Sequence, residues 1–298
     1  MILFHFDGSE ALRRKLEPLG ITLCPESDGA AFARLLPEVE VLWHVLKPVT
    51  AEVIAQAPKL RLIQKIGSGV NTIDLEAARR RGIAVCNLPG TNSRAVAEMT
   101  LLLMFACLRR LPQLYTAVRT GRWADAWGLQ DGLCELGGKT VGLVGYGAVA
   151  RVLHPILAAM DANVLYWSRS QSNASFETLL GTADIVSLHV PLTPETRGFL
   201  DARKMKAGAI LINTARGGLV DEAALIQALE TGHLAAAGLD VFAQEPPSAE
   251  NRLLGTKNVV ATPHLAWLTQ ETLERSVAAA QRNVYNLRSG LPLEHRVA

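Results

Sequence analysis

The stretch from Lys139 to Ser170 constrains this chain more than any other. An apolar run, Thr140-Val141-Gly142-Leu143-Val144, has the length and composition of a short buried strand. After it come Gly145-Tyr146-Gly147-Ala148-Val149-Ala150, a helical stretch to Met160, and a second apolar run from Asn163 to Trp167. Strand, glycine turn, helix and strand in that order make the unit that binds a dinucleotide. Gly145 lets the chain turn sharply, and Gly147 has no Cβ to obstruct a pyrophosphate. The amides that follow, from Ala148 and Val149 on, open a helix, where orphan donors and the positive dipole end favour an anion. Ala150 stands in the place of a third glycine, a site that governs only helix–strand packing. Two glycines in a tight turn are weak evidence alone; with both strands in place, cofactor binding is the stronger reading.

A chain of 298 residues suggests two domains, each with enough residues for a core. With 49% hydrophobic and 19% charged residues it has the composition of a soluble globular protein, not a disordered one. A formal charge of +2 gives no electrostatic case for nucleic acid or a membrane surface. Cys24, Cys86, Cys107 and Cys134 are scattered, without a C-x-x-C, which suggests reduced thiols and a cytoplasmic location, and no metal site is expected. Met1 to Phe6 reads as a first strand and not a signal peptide, and the longest apolar run, Met99 to Leu108, is too short to span a bilayer.

Residues 1–91 alternate strand-like and helix-like pieces without a phosphate fingerprint, as a first, smaller α/β domain would. The strand signals are Ile2–Phe6, Val41–Val45, Leu60–Ile66 and Ile83–Val85. Gly67-Ser68-Gly69-Val70-Asn71 follows the third of them; its amides can form a nest for a carboxylate, and an ordinary turn is equally open. Pro89-Gly90-Thr91 is a candidate hinge. A helix capped by Ser93 is expected to run through Leu111, apolar all round and therefore buried, between domains or between subunits. Trp123 and Trp127, in a polar arm, point to a partner surface more readily than to a substrate pocket. Pro155 is expected to bend the fingerprint helix or start a shorter one, and Asp161 to adopt a left-handed helix-terminating conformation.

Beyond Ser170 the strand signals come in series and each ends in polar residues. In an open parallel sheet, ligands bind outside the carboxyl ends of the strands. Three consecutive strands end in Asn213-Thr214-Ala215-Arg216-Gly217, in Asp240 to Pro246, and in Thr262-Pro263-His264. A guanidinium fork can hold a substrate carboxylate bidentately. A histidine can give a carbonyl oxygen a proton or take it back, and a carboxylate beside it orients the ring. Singly, Arg216, Glu245 and His264 each have a bland surface or loop reading; their coincidence at successive strand ends favours catalysis.

Five strings carry a family resemblance: Gly145–Ala150, HVPLTPETRG from His189 to Gly198, INTARGGLVDEAAL from Ile212 to Leu225, AAAGLDVFAQEP from Ala235 to Pro246, and TPH from Thr262 to His264. Together they resemble the D-isomer-specific 2-hydroxyacid dehydrogenases over most of the chain, and most of all the glyoxylate/hydroxypyruvate reductase group. The resemblance implies two α/β domains, a Rossmann-type doubly wound parallel sheet inserted in a smaller flavodoxin-like substrate domain. Residues 1–91 would begin the substrate domain, 92–267 would bind the dinucleotide, and 268–298 would return as a crossover helix. The implied catalytic residues are Arg216, Glu245 and His264. Arg216, His264 and the Ser68 and Gly69 amides would hold the substrate. The cofactor would meet Gly145, Gly147, Ala148, Val149, Ser168, Arg169, Ser170, Pro191, Thr196, Ala215 and Asp240, with Asp240 on the nicotinamide carboxamide. The activity implied is reduction of a small 2-oxoacid to the D-2-hydroxyacid by a homodimer. A non-catalytic cofactor-binding regulator of the same fold is the alternative.

Three features depart from the family pattern. Leu265-Ala266-Trp267 stands where a small Gly/Ser pair usually follows the histidine, and His44-Val45-Leu46-Lys47 replaces a loop that usually contains Arg and Ser. Ending soon after the expected crossover helix, the chain is expected to lack the regulatory extension of long phosphoglycerate dehydrogenases. At the end of the second strand of the fingerprint unit, Ser168-Arg169-Ser170 contains no carboxylate to accept from a ribose 2′-OH. Arg169 can pair with a 2′-phosphate and the serines can donate to it, so NADP(H) is expected over NAD(H).

Overall fold

The computed structural model describes all 298 residues, Met1–Ala298, as two compact units, Met1–Asn92 with Thr269–Ala298, and Ser93–Leu268. The first holds strands β1 (Ile2–His5), β2 (Ile21–Cys24), β3 (Val41–His44), β4 (Leu62–Lys65) and β5 (Ala84–Cys86). They form one parallel sheet in the order β2-β1-β3-β4-β5. Helices α1 (Glu10–Leu16), α2 (Gly29–Leu35), α3 (Ala51–Ala55) and α4 (Leu75–Arg80) are the crossovers. Each starts where a side chain accepts from a first-turn amide: Ser9, Asp28, Thr50 and Asp74.

The second unit contains α5 (Ser93–Leu108), α6 (Leu111–Arg119), α7 (Trp123–Trp127), α8 (Ala148–Ala159), α9 (Phe176–Thr182), α10 (Glu222–Glu230) and α11 (Arg252–Gly255). Its strands are β6 (Thr140–Val144), β7 (Asn163–Trp167), β8 (Ile185–Leu188), β9 (Ala209–Asn213), β10 (Leu234–Leu239) and β11 (Val259–Ala261), parallel and ordered β11-β10-β9-β8-β6-β7. From β6 the chain first moves outward to β7 and then returns past β6 to β8. The crevice for a ligand is therefore at the carboxyl ends of β6 and β8. Helix α12 (Gln270–Ser289) belongs to the first unit, where the buried Asn283 donates to Gln64 at 2.8 Å.

Two expectations about helices need correction. The segment beginning at Ser93 does not run through Leu111: α5 ends at Leu108, Arg110 takes a left-handed conformation with φ 48°, and α6 begins anew. One face of α5 packs on α8, β9 and β10 of its own unit, while Leu102 on another face stays exposed. Pro155 does not start a new helix, because α8 runs unbroken through it. The ring lies on the exposed face, so the carbonyl it deprives of a donor can be hydrated. Asp161 does adopt the left-handed conformation, φ 60°.

The register of the first sheet aligns His5, His44 and Lys65 side by side on β1, β3 and β4, all buried. His5 stacks on Phe32 at 3.7 Å between ring centroids. Burial, reinforced by Lys47 and opposed by Asp7, pushes His5 down to about 4. Burial beside Lys65 and His5, opposed by the hydrogen bond to the Lys47 carbonyl, holds His44 well below the ordinary histidine range. Both are neutral in the fold and protonate when the chain unfolds in mild acid. Stability is thus fully present above the unfolded value near 6.5 and falls as pH drops towards 4. For His5 alone the loss at pH 4 is of order 3 kcal/mol. Urea midpoints should decline between pH 7 and pH 5, less steeply in His5→Gln. Identical slopes in the two proteins would count against this account.

Candidate functional site

The crevice at the ends of β6 and β8 is shaped by backbone contact. Gly145 has φ 96°, and a Cβ there would lie 2.6 Å from both the carbonyl carbon and the oxygen of His189. Only glycine satisfies both the torsion and the space. A Cβ on Gly147 would meet nothing within 4 Å, so this glycine borders open space at the N-terminus of α8. Ala150 is fully buried against the sheet, as its packing role requires.

Gly145 and Gly147 line a cleft of ≈ 440 Å³ together with Ser168, Arg169, Ser170, Pro191 and Thr196. Seven residues singled out from the sequence are thus brought together. Ala148 and Val149 open α8 beside them. Thr196 Oγ1 donates to the Pro191 carbonyl at 2.7 Å and accepts from Thr193 N at 2.8 Å, which closes that wall. Arg169 and Ser170 are exposed, and Arg169 lies in the field of Glu195, on the same wall. Ser168 differs from expectation, because its hydroxyl donates to the Gln171 carbonyl at 2.7 Å and accepts from Gln171 N at 3.1 Å. Its proton holds the turn that presents Arg169, leaving Ser170 as the free hydroxyl. Sequence reasoning misses Tyr146, His189, Glu195 and Phe199 as lining residues. A signal is present for two of them, Tyr146 inside the glycine fingerprint and His189 at a strand end.

The loops after β9, β10 and β11 bring a guanidinium, two carboxylates and an imidazole to the same sheet edge. After β9, Asn213 accepts from Ala215 N at 3.0 Å and donates to the Arg216 carbonyl at 2.9 Å, which shapes the turn carrying Arg216. The Arg216 guanidinium donates to the Ala215 carbonyl at 2.6 Å. Burial lowers the Arg216 pKa, opposed by the charge of Glu245. Gly217 is forced: a Cβ there would lie 1.9 Å from the Phe242 carbonyl carbon and 2.4 Å from Ala243 N. That backbone crossing joins the Arg216 loop to the loop that carries Glu245.

Glu245 Oε1 accepts from Phe242 N at 3.0 Å, and Oε2 lies 2.6 Å from His264 Nδ1. Burial would raise the Glu245 pKa, but the hydrogen bond and charge of His264, the Phe242 amide and Arg216 together bring it below the usual value. His264 is itself held in an unusual conformation, φ 55°, rare for a residue with a side chain. Asp240 explains how. It is fully buried and accepts from Thr262 Oγ1 at 2.6 Å, Leu265 N at 2.9 Å and Ala266 N at 2.9 Å, while its carbonyl accepts from His264 N at 2.8 Å. Burial pushes the Asp240 carboxyl up, against these donors and the charge of His264. Asp240 therefore clamps the loop on both sides of His264, a role the sequence did not suggest.

In the first unit, the turn after β4 sets Gly67 at φ 139°, and its carbonyl accepts from Leu88 N at 2.8 Å. Asn87 Nδ2 donates to the Ser68 carbonyl at 2.7 Å, and the Ser68 and Gly69 amides donate to no protein group. Two amides left over in a tethered glycine turn are suited to an anion.

The sheet and its switch-point glycine turn define the class, a dinucleotide-binding α/β protein, here with an imidazole–carboxylate pair at the strand ends. Comparison with known proteins narrows it. The family model for the NAD binding domain of D-isomer specific 2-hydroxyacid dehydrogenase matches residues 101–266. A D-3-phosphoglycerate dehydrogenase from Archaeoglobus fulgidus is 40% identical over 262 residues, covering 84% of this chain and 49% of that protein. The chain thus spans about half the length of the phosphoglycerate dehydrogenases it matches. A glyoxylate reductase from Aeropyrum pernix is 38% identical over 274 residues, covering 85% of this chain and 81% of that one. Among solved structures, the TT0316 protein from Thermus thermophilus superposes with a TM-score of 0.88 at 36% identity, over 100% of this chain and 99% of that one. This chain belongs to the D-isomer specific 2-hydroxyacid dehydrogenase family. No helix in it is long and apolar enough to cross a membrane.

Proposed function

We propose that this protein reduces a small 2-oxoacid of the glyoxylate or hydroxypyruvate kind to the D-2-hydroxyacid, with NADPH as the preferred cofactor. The observation that carries the reading is the 2.6 Å pair between His264 Nδ1 and Glu245 Oε2, in a sheet that also bears a dinucleotide crevice. Bound nicotinamide would supply the hydride. Gly145, Gly147, Ala148 and Val149 would hold the pyrophosphate, Pro191 and Thr196 the adjoining wall, and Ala215 the nicotinamide end, while Asp240, fully buried with both carboxylate oxygens bonded to the His264 loop, acts through that loop rather than on the carboxamide. Arg216 binds the substrate carboxylate through its planar fork, and the Ser68 and Gly69 amides of the first unit, left without protein acceptors, are assigned to an anionic group of the substrate. His264 donates its proton to the carbonyl oxygen as negative charge develops there, and Glu245 keeps Nδ1 protonated so that Nε2 faces the reaction.

Four free thiols, three of them buried, suit a cytoplasmic enzyme. A homodimer is supported by apolar side chains left exposed along α5–α7: Leu102, Tyr115 and Val118 at 52%, 61% and 52%, Trp123 and Trp127 at 66% and 67%.

The test is NADPH and NADH oxidation with glyoxylate, hydroxypyruvate, pyruvate and phenylpyruvate. Turnover of one of these acids, with NADPH favoured about tenfold to hundredfold in kcat/KM, is expected from one charge-assisted contact to the 2′-phosphate. Because the Ser168 hydroxyl holds the turn, Arg169→Ala alone should remove most of that preference, and Ser168→Asp with Arg169→Ala should shift the ratio towards NADH. Equal use of both cofactors by the wild type overturns the preference and leaves the catalytic assignment standing. No turnover with any 2-oxoacid favours a cofactor-binding regulator instead.

A further inference from the structure

We infer that the second unit carries another ligand site, a cleft at the amino-terminal edge of its sheet that takes a small carboxylate bearing a hydrogen-bond donor. The cleft has a volume of ≈ 100 Å³. It is lined by residues that precede strands, among them Lys139 before β6, Asp184 before β8 and Asn258 before β11. The cofactor crevice is lined by residues that follow β6, β7 and β8, so the two lie at opposite edges of one sheet.

Charge is the first argument. Arg110 and Lys139 both line the cleft, and neither side chain has a hydrogen-bond or ion-pair partner. Its one acidic lining residue, Asp184, is already engaged, by Lys206 Nζ at 2.7 Å and Thr140 N at 2.8 Å. Arg110 and Lys139 thus outnumber the one carboxylate at the cleft, and Asp184, which Lys139 also faces, is hydrogen-bonded to Lys206 and Thr140, so the local charge favours an anion.

The placement of Arg110 is the second argument. Its backbone sits at φ 48°, which disfavours any residue with a Cβ. Its guanidinium rests against Gly132, where a Cβ would lie 2.0 Å from Nη2 and 2.1 Å from Cζ. A left-handed arginine and a glycine distant in sequence both serve to hold this guanidinium at the cleft. Strain of that kind persists only where the surroundings enforce it.

Gln113 adds the third. Its Nε2 donates to the Lys257 carbonyl, which orients the amide and leaves Oε1 buried with no partner. A buried orphan acceptor calls for a donor. Ile210, Ala236 and Val260 make the remaining wall apolar. Carboxylate, donor and a short apolar body describe a small hydroxy acid or amino acid. The volume is well below the ~300 Å³ at which drug-sized pockets begin, which excludes a nucleotide.

The test is titration of the ¹⁵N-labelled full chain, without dinucleotide, with glycolate, glycine and acetate, following the Gly132 amide and the Gln113 side-chain amide. Saturable shifts in the millimolar range are expected with glycolate or glycine, whichever donor Gln113 accepts, and weaker ones with acetate. Arg110→Gln should weaken binding about tenfold or more, the loss expected for one charge-assisted hydrogen bond. Gly132→Ala, which evicts the guanidinium without removing it, should do the same. His264→Ala should leave these shifts unchanged, since it alters only the other edge of the sheet. The inference is overturned if neither signal moves, if the shifts survive both Arg110→Gln and Gly132→Ala, or if acetate binds as well as glycolate and glycine.

Discussion

Replacing His264 by alanine is expected to lower kcat by about 10²–10⁴-fold while leaving cofactor affinity nearly unchanged. In the proposed reaction the carbonyl oxygen acquires charge as hydride arrives, and the proton that meets it is assigned to the imidazole paired with Glu245. The substitution removes the acid and leaves the crevice at Gly145, Gly147 and Arg169 intact, because those residues come from the ends of β6 and β7. The loop itself should survive, since Asp240 holds it through the backbone amides of His264, Leu265 and Ala266. Stopped-flow hydride transfer and NADPH titration separate the two quantities. A variant with near-wild-type kcat at neutral pH would remove His264 from its role, whereas loss of cofactor binding would show that the loop had collapsed. Glu245→Gln should produce an intermediate loss, because it keeps the shape and removes the charge that fixes the ring.

Much of this arrangement is legible in the order of residues, for a physical reason. Parallel sheets put every carboxyl end on one edge, so polar residues that close successive apolar runs must converge. Arg216, Asp240, Glu245 and His264 can be found that way, and so can the glycine turn. Contacts between segments far apart in the chain cannot. The backbone crossing of Gly217 on Phe242 is such a contact, whereas the bond from Ser168 to Gln171 is local but competes with a ligand role that the same residues allow equally. Strand β2 escapes sequence reasoning because Ile21–Cys24 is four residues long, with a buried-and-exposed pattern too short to show a period. The break after α5 escapes it for a different reason. The apolar residues continue past Arg110, but Pro112 has no N–H to bond back to Leu108, so the chain turns left-handed at Arg110 and restarts with the proline in the first turn of α6. Pro155 misleads because helix position alone does not tell whether a deprived carbonyl faces water.

Gly217→Ala is expected to be the most damaging single methyl that can be added to this site. In the structure that methyl would stand 1.9 Å from the carbonyl carbon of Phe242, 2.1 Å from its oxygen and 2.4 Å from Ala243 N. These are backbone atoms, so no rotamer change relieves the overlap, and one loop must move by about 1 Å or more to restore ordinary contact. The two loops in question carry Arg216, immediately before the glycine, and Glu245, immediately after Ala243-Gln244. Displacing either separates the Arg216 guanidinium, the proposed carboxylate fork, from the His264–Glu245 pair, and misplacement on that scale costs about 10²-fold in rate. We therefore expect kcat/KM to fall by at least about 10²-fold, with a depressed unfolding midpoint and largely retained dinucleotide binding. Gly181→Ala provides the matched control. That glycine lies in α9, a Cβ there meets nothing within 4 Å, and the change should be neutral or slightly stabilising. If Gly217→Ala behaved like Gly181→Ala in both activity and unfolding, the close crossing of the Arg216 and Glu245 loops would not be what holds the site together.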